Sequence, residues 1–483
     1  MNAAPSFLWH DYETFGADPA RDRPSQFAAQ RTNAELEPLG EPILLYCQPS
    51  IDVLPHPDAC LLTGISPQQA RELGVPEYEF VRRIAEAFGQ PGTCGAGYNS
   101  IRFDDEVTRH LLYRNFYDPY EREWRGGNSR WDLIDVVRLW HALRPQGLEW
   151  PKREDGATSF KLEHLSAANA LNHAKAHDAL SDVEATIALA RRLRQAQPRL
   201  FEHALKLRDK RYAASLLDVS AMTPVLHVSS KITASRGCLA VIVPLARHPT
   251  NNNCVLTYDL GQDIEELLSL DPEELRERVF ARTEDLPEGV ERLPLKGVHL
   301  NKSPMLSPLS ALRATDAERW GIDLAACLER REALYAVREA LAAKVQEVFS
   351  APEYGEQDPE LSLYGGFLPD EDKAKLAKVR AASGDALWRY QDSFKDPRYD
   401  ELLFRYRARH FPDFLDEEEK ARWQDFVQRK LHYDTGLASL TLEAYEALLA
   451  ERFAGERQPE RLRLLQKLKD WPVESGLLRL LES

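Results

Sequence analysis

Two carboxylates lie one residue apart inside an otherwise apolar and aromatic segment near the start of the chain. The segment SFLWHDYETFG, residues 6–16, carries Asp11 and Glu13. Side chains i and i+2 of a β-strand lie on the same face, so a strand here would point both carboxylates at one place. Two like charges this close are costly unless a cation lies between them. The segment therefore predicts a β-strand that carries a cation site.

The first of three blocks, residues 1–197, alternates strand-like and helix-like segments. EPILLYCQP resembles a strand, PEYEFVRRIAEAFG a helix, and SDVEATIALARRLRQ repeats apolar residues at spacings of three and four. Alternating β and α units are typical of a central sheet covered by helices. The fold class predicted for this block is α/β, with a mixed central sheet flanked by helices.

The second block, residues 198–350, contains the strand-like runs TPVLHVSS, CLAVIVPLA and NCVLTYDL, separated by turn residues. We interpret it as a β-domain with helices. Residues 219–258 contain no Asp or Glu, although 77 acids in 483 residues would place about six there. Either the buried strands need no charge, or the domain presents an acid-free face to a polyanion.

The third block, residues 351–483, is rich in charged helix-like segments such as DEEEKARWQDFVQRKL and PERLRLLQKLKDW. It predicts a helical C-terminal domain whose charge runs are solvated helix faces.

Two further stretches complete a chemically coherent set with Asp11 and Glu13. GYNSIRFDDEVTRHLL carries Asp104, and AHDALSDVEATIALA carries His177 and Asp182. Carboxylate oxygens suit Mg²⁺ or Mn²⁺, and two such ions can hold the attacking and leaving oxygens of a phosphodiester. A neutral histidine beside them can accept the proton of the attacking water.

The ordered set resembles the active site of the DEDDh exonucleases, the DnaQ-like family with an RNase H-like fold. HDYETFG, LLTGISPQQA, NSRWDLIDVVR and AHDALSDVEATIALA carry the likeness most clearly, and RARHFPDFLDEEEKARW extends it more loosely into the third block. The similar bacterial members combine an exonuclease domain, an SH3-like β-domain and a helical domain, which matches the three blocks. The resemblance implies 3′-to-5′ hydrolysis of single-stranded DNA to 5′-mononucleotides, in DNA repair and recombination.

The resemblance also implies a role for each active-site residue. Asp11 would bridge two metal ions, and Glu13 and Asp182 would hold the ion that activates water. Asp104 would support the second ion, and His177 would be the general base. The implied cofactor is a pair of Mg²⁺ ions, for which Mn²⁺ can substitute.

Single-stranded DNA needs cations for its backbone and flat side chains for its bases. Aromatic residues and arginines interleave between residues 112 and 131, and the acid-free stretch adds further cations. The same aromatics would also suit a core, and the same lysines a plain solvent-facing surface. The candidate DNA contacts are Tyr113, Arg130, Trp131, Lys161, Lys231 and Arg236.

The similar exonucleases also bind the acidic, hydrophobic C-terminal tail of the single-stranded DNA-binding protein. Arg144 in LRPQG and Arg313 in SALRATD match that site. His203 and Pro308 depart from it, because an aromatic residue and a glutamine are expected there.

Three other functions stay open at this point. A ribonuclease that trims RNA 3′ ends would use the same active-site residues, since the choice between RNA and DNA depends on contacts to the 2′-hydroxyl. A non-catalytic protein that binds single strands has no need of four gathered carboxylates. A metal phosphohydrolase built on His177 and Asp178 would need further histidine and aspartate ligands that the sequence does not supply.

The sequence predicts a cytoplasmic protein without a membrane partner. The N-terminus lacks the features of a signal peptide, and the longest apolar run, CLAVIVPLA, is too short to span a bilayer. The six cysteines form no CxxC pair, which suits a reducing compartment. A net charge of −15 disfavours indiscriminate binding to nucleic acid. A monomer is expected from the resemblance alone.

Overall fold

A computed structural model of the chain describes residues 5–171, 178–287, 290–350, 357–433 and 435–482. They form two compact units. Unit 1 comprises Met1–Ser129, His173–Glu184 and Gly355–Ser483. Unit 2 comprises Arg130–Asn172 and Ala185–Tyr354.

The strands of the described residues are β1 (Ser6–Thr14), β2 (Pro24–Thr32), β3 (Ile43–Tyr46), β4 (Thr93–Gly97), β5 (Ser129–Asp132), β6 (Val225–Val228), β7 (Leu239–Arg247), β8 (Cys254–Asp259), β9 (Leu295–His299) and β10 (Met305–Pro308).

The α-helices up to residue 280 are α1 (Pro57–Thr63), α2 (Pro67–Leu73), α3 (Glu77–Phe88), α4 (Asp104–Arg114), α5 (Leu133–Leu143), α6 (Leu162–Ala168), α7 (Ala179–Ala196), α8 (Pro198–Lys206), α9 (Lys210–Ser215), α10 (Glu265–Ser269) and α11 (Pro272–Phe280). Those that follow are α12 (Ala314–Trp320), α13 (Leu324–Ala336), α14 (Arg338–Val348), α15 (Asp370–Ala381), α16 (Pro397–His410), α17 (Glu417–His432), α18 (Leu442–Gly455), α19 (Pro459–Glu474) and α20 (Leu477–Glu482). No helix in this described part of the chain has the length and apolarity needed to cross a bilayer.

Four strands lie wholly within unit 1 and hydrogen-bond in the order β3-β2-β1-β4. β1 runs antiparallel to β2 and parallel to β4, so the sheet is mixed, as the sequence predicted. One face of β1 packs Leu8 and Tyr12 against Phe80 of α3 and Leu111 of α4. Period-two alternation then turns Asp11 and Glu13 to the opposite face.

The C-terminal helices of unit 1 share a core with the N-terminal block. Leu61 of α1 and Ala70 of α2 lie in one buried cluster with Trp423 of α17, Tyr445 of α18 and Leu468 of α19. The helices of the C-terminal segment are present as predicted, and they share this core with the N-terminal block. The block boundaries 1–197, 198–350 and 351–483 stay predictions.

Unit 2 contains a second sheet, in which five strands pair antiparallel in the order β10-β6-β7-β8-β9. β7 is buried along nearly its whole length, which explains its apolar sequence LAVIVPLAR. Pro244 lies where the register between β7 and β8 shifts, a position that tolerates the missing backbone donor. Helix α5 packs against β6 and β10, and α14 packs against β7.

Candidate active site

Three of the predicted carboxylates converge in unit 1. Asp11 and Glu13 lie on β1, opposite Ala28 and Gln26 of β2, and the β1–β2 register shifts directly after Glu13. Asp182 lies in the first turn of α7. One oxygen from each of Asp11, Glu13 and Asp182 lies within 4.8 Å of the others. The side-chain alternation of β1 and the position of the first turn of α7 therefore bring Asp11 and Asp182 together. These two residues are 171 positions apart in the sequence.

Burial and nearby like charges raise the pKa values of Asp11 and Glu13. The pKa of Asp11 is raised well above its ordinary value by burial and by the charges of Asp104, Glu13 and Asp182. Burial, with the charges of Asp182 and Asp178, raises the pKa of Glu13 to about 8. The cluster thus holds protons that a cation would displace.

The donor set fits a divalent metal ion. Hard carboxylate oxygens are the ligands that Mg²⁺ and Mn²⁺ prefer, and two oxygens on opposite sides of one Mg²⁺ are about 4.2 Å apart. Small side-chain adjustments would bring the three oxygens, now within 4.8 Å, onto one ion. A cation would also relieve the repulsion that raises the pKa of Asp11.

Asp104 begins helix α4 at the back of this cluster. Its side chain is 3% exposed, and its Oδ1 accepts a hydrogen bond from the backbone N–H of Tyr12 at 3.0 Å. The carboxylate lies outside the group of three oxygens but contributes to the raised pKa of Asp11. Three consecutive acids, Asp104, Asp105 and Glu106, suit the positive end of the α4 dipole.

The predicted general base, His177, lies outside the described residues. Asp178, which the description includes, accepts a hydrogen bond from the backbone N–H of Ser181 at 3.2 Å. Its backbone carbonyl accepts from the N–H of Asp182 at 3.0 Å. Asp178 therefore caps the helix that carries Asp182.

Three of the predicted DNA contacts are core residues in this structure. Trp131 is fully buried, and its indole N–H donates to the carbonyl of Ala204 at 3.1 Å. Tyr113 is 2% exposed, and its hydroxyl donates to the carbonyl of Pro359 at 2.9 Å. Their burial leaves no ring face accessible for stacking on a base in this structure, and DNA contact by either residue stays a prediction.

Arg130 is also buried. It is 5% exposed and donates from Nη2 to the carbonyl of Asn301 at 2.9 Å. Arg130 therefore has a structural contact within unit 2, and its role in DNA binding stays a prediction.

The other three predicted DNA contacts are accessible cations of unit 2. Lys161 is exposed and lies 3.4 Å from Glu163. Lys231 is exposed, and its backbone carbonyl accepts from Nζ of Lys296, a cation that the sequence analysis missed. Arg236 is half-buried and pairs with Asp259 at 2.8 Å. Its charge is therefore partly neutralised by the first acid beyond the acid-free stretch.

Arg144 and Arg313 lie together around one buried carboxylate, that of Asp316. The distances to its Oδ2 are 3.4 Å from Nη1 of Arg144 and 2.9 Å from Nε of Arg313. Arg319, which sequence reasoning missed, lies 3.9 Å from the same carboxylate. Three guanidinium groups and one acid leave a net positive charge at the end of α5, where Arg313 also donates to the carbonyl of Leu143.

His203, one of the two departures from the expected tail site, is held by hydrogen bonds. Its Nδ1 lies 3.1 Å from the hydroxyl of Tyr212, and its Nε2 lies 2.7 Å from the carbonyl of Leu306. The tyrosine beside it supplies an aromatic ring close to the position where one was expected.

Comparison with known proteins gives consistent matches along the chain. Residues 8–190 match the model of an exonuclease family, residues 208–351 the exonuclease I SH3-like domain, and residues 357–475 the exonuclease I C-terminal domain. The curated exodeoxyribonuclease I of Escherichia coli K12 is 44% identical over 472 residues, covering 97% of this chain and 98% of the relative.

Solved structures are similar over nearly the whole chain. Exonuclease I from Methylocaldum szegediense is 51% identical with a TM-score of 0.93, covering 99% of this chain and 100% of that one. A zinc-ion-bound complex of E. coli ExoI with single-stranded DNA is 42% identical with a TM-score of 0.92, with coverage of 99% and 100%. A crystal structure of SSB/Exonuclease I with the inhibitor CFAM is 42% identical with a TM-score of 0.89, with coverage of 98% and 100%.

Proposed function

The chain belongs to the exonuclease I family and is a 3′-to-5′ exodeoxyribonuclease of single-stranded DNA, and we propose that the carboxylates around Asp11 hold its metal ions. The predicted order of exonuclease, SH3-like and C-terminal domains is confirmed. The family depends on divalent metal ions. Membership of this family argues against the three alternatives, which were a ribonuclease, a non-catalytic protein that binds single strands and a metal phosphohydrolase.

The proposed metal ligands are Asp11, Glu13, Asp104 and Asp182. The observation that carries this proposal is the convergence of three carboxylate oxygens within 4.8 Å together with the raised pKa values of Asp11 and Glu13. We propose two Mg²⁺ ions, for which Mn²⁺ can substitute. When bound, such ions activate water and stabilise the charge that develops on the scissile phosphate.

The side chains of this chain then have distinct tasks. Asp11, Glu13 and Asp182 would hold the ion that activates water, and Asp104, together with Asp11, would support the second ion. His177 would accept the proton of the attacking water, whose oxygen bonds to the scissile phosphorus while the P–O3′ bond breaks. The 3′-oxygen stays on the shortened strand and takes a proton, and a 5′-mononucleotide leaves. Glu13, whose pKa is about 8, must lose its proton when the metal binds, so occupancy should rise with pH.

We propose that Lys161, Lys231 and Arg236 contact the DNA backbone. All three are accessible cations, in contrast to the buried Trp131 and Tyr113. Lys296 donates to the backbone carbonyl of Lys231 and adds a further cation beside it.

We propose that the arginine cluster of Arg144, Arg313 and Arg319 binds the acidic C-terminal tail of a single-stranded DNA-binding protein. Its net positive charge around Asp316 would attract the tail carboxylates. We further propose that the enzyme acts as a cytoplasmic monomer in DNA repair and recombination.

A gel assay with a 5′-labelled single-stranded DNA oligomer tests the site. With Mg²⁺, wild type should shorten the oligomer progressively from its 3′ end, whereas EDTA or Asp11→Ala should abolish the shortening. Glu339→Ala, at a 90% exposed side chain in unit 2, is the matched control and should retain full activity. Equal degradation of matched RNA, or an active Asp11→Ala variant, would contradict the proposal.

A further inference from the structure

A buried ion pair lies behind the proposed metal site, on the opposite face of β1. Nη2 of Arg122 donates to Oδ1 of Asp105 at 2.6 Å, and the two side chains are 5% and 2% exposed. The guanidinium lies over the ring of Phe88, 4.6 Å from its centroid. Nε2 of His10, the neighbour of Asp11 on β1, lies 3.9 Å from the same Asp105 oxygen.

Stability alone does not explain a charged pair at this place. Burying two charges costs desolvation, and well-packed apolar residues of similar volume are often equally or more stabilising. The best-attested benefit of a buried ion pair is that it specifies one arrangement of the elements it joins. Here, it joins α4 to the segment that contains Arg122.

Asp105 is the residue that follows Asp104 at the start of α4, so the two carboxylates point about 100° apart around the helix axis. On one side, Asp104 is held to β1 by the N–H of Tyr12 at 3.0 Å. On the other side, Asp105 is held by Arg122, and its N–H donates to the carbonyl of Ser100 at 2.8 Å. Anchors on two sides fix the rotation of the first turn of α4.

We infer that Arg122, through Asp105, positions Asp104 at the metal site. The inference rests on the proposed function, in which Asp104 supports a metal ion. A rotation of about 10° would move a side-chain end 5–6 Å from the helix axis by about 1 Å. A displacement of about 1 Å in a reacting site can cost roughly 100-fold. Arg122 is thus a positioning residue, which acts on the metal site through Asp105 and Asp104.

Electrostatics and positioning predict opposite results when Arg122 is replaced by an apolar residue. Removing a positive charge near a cation site should tighten metal binding if only charge matters. Loss of the anchor should weaken it, because second-layer partners of metal ligands typically contribute about 10–100-fold in affinity. Tighter Mn²⁺ binding in the variant would therefore indicate a purely electrostatic effect, and weaker binding would indicate that Arg122 positions the site.

The test is isothermal titration of metal-free protein with Mn²⁺. Arg122→Met should weaken Mn²⁺ binding by about 10–100-fold. Arg122→Lys keeps the charge but lacks the planar fork, so it should weaken binding by a smaller factor and retain the fold. Unchanged or tighter binding in Arg122→Met would overturn the inference, and if that variant does not fold, unchanged binding in Arg122→Lys would do so.

Two controls separate this role from general destabilisation and from failure of the proposed function. Arg407→Met removes an equally buried arginine, 3% exposed in its side chain and paired with Glu419 on a C-terminal helix. It should lower the melting temperature without changing the Mn²⁺ affinity, and an equal loss of affinity there would refute a specific role for Arg122. Asp104→Asn should weaken Mn²⁺ binding, and if it does not, the proposed metal ligation by Asp104 fails instead.

Discussion

Replacing Glu13 by glutamine should stabilise the metal-free protein. Glu13 is 7% exposed, and its pKa is raised from 4.5 to about 8 by burial and by the charges of Asp182 and Asp178. A glutamine would keep the shape of the side chain without its charge. Each pKa unit corresponds to about 1.4 kcal/mol, so ionised Glu13 costs the fold up to about 4 kcal/mol at pH 8.

The sign of this stability change follows from the linkage between proton binding and folding. A group whose pKa is raised on folding contributes stability that is fully present below its unfolded pKa and is lost as the pH rises through its folded pKa. The stability contributed by protonated Glu13 is therefore lost between pH 4.5 and about pH 8. The advantage of Glu13→Gln should therefore be negligible at pH 4 and largest at pH 8.

Thermal unfolding in EDTA, at several pH values between 5 and 8, measures this difference. At about 2 °C per kcal/mol for a unit of more than 200 residues, the melting temperature should rise by up to about 8 °C at pH 8. Mg²⁺ should stabilise wild type and have little effect on the variant. A variant that melts at or below wild type at pH 8, or a difference that does not grow with pH, would refute the reasoning.

Glu77 provides a matched control with the opposite sign. It is also 7% exposed, but both of its oxygens accept hydrogen bonds from Arg114 at 2.8 Å. Burial alone would raise its pKa, but the charge and hydrogen bonds of Arg114 lower it from 4.5 to about 2. Ionised Glu77 stabilises the fold above pH 4.5, and this stabilisation is lost as the pH falls towards 2. Glu77→Gln should therefore cost about 3 kcal/mol at neutral pH.

Three further predictions concern residues of unit 2. Trp131→Phe should lower thermal stability by about 1–3 kcal/mol through loss of the hydrogen bond to Ala204, and fluorescence titration should show unchanged affinity for single-stranded DNA. Lys231→Ala should instead preserve stability and reduce the slope of log affinity against log salt by about 0.7, and equal affinity losses in both variants would contradict this. Arg313→Ala should weaken binding of an acidic tail peptide in fluorescence anisotropy, while an Asp-to-Asn version of the peptide should bind weakly to wild type as well.

Local patterns in the sequence predicted the elements that carry the site. Alternation in β1 places Asp11 and Glu13 on one face whatever surrounds the strand, and the three-and-four spacing after Asp182 defines α7. Local pattern could also identify β7 from its apolar run. These inferences succeed because each depends on residues only a few positions apart.

Burial of single side chains could not be predicted in the same way. Trp131 and Tyr113 belong to a stretch rich in aromatics and arginines, a composition shared by stacking surfaces and by cores. Their burial depends on distant partners: the indole of Trp131 reaches the backbone of Ala204, and the hydroxyl of Tyr113 reaches Pro359. The shared core of α1 and the C-terminal helices likewise joins segments more than 350 residues apart, which no local period reveals.

Charge balance, rather than burial, distinguishes the candidate site from the buried carboxylate of Asp52 in the same unit. Asp52 is fully buried, yet Arg409 and Lys430 donate to it at 2.8 Å, and these cations outweigh burial to hold its pKa well below the ordinary value. Around Asp11, the charges that act are those of other carboxylates, and its pKa rises. An acid paired with cations is ionised in the fold without any further partner, whereas a cluster of like charges is stabilised only when a cation binds. Chelation should therefore weaken the β1–α7 site while leaving the Asp52 network intact.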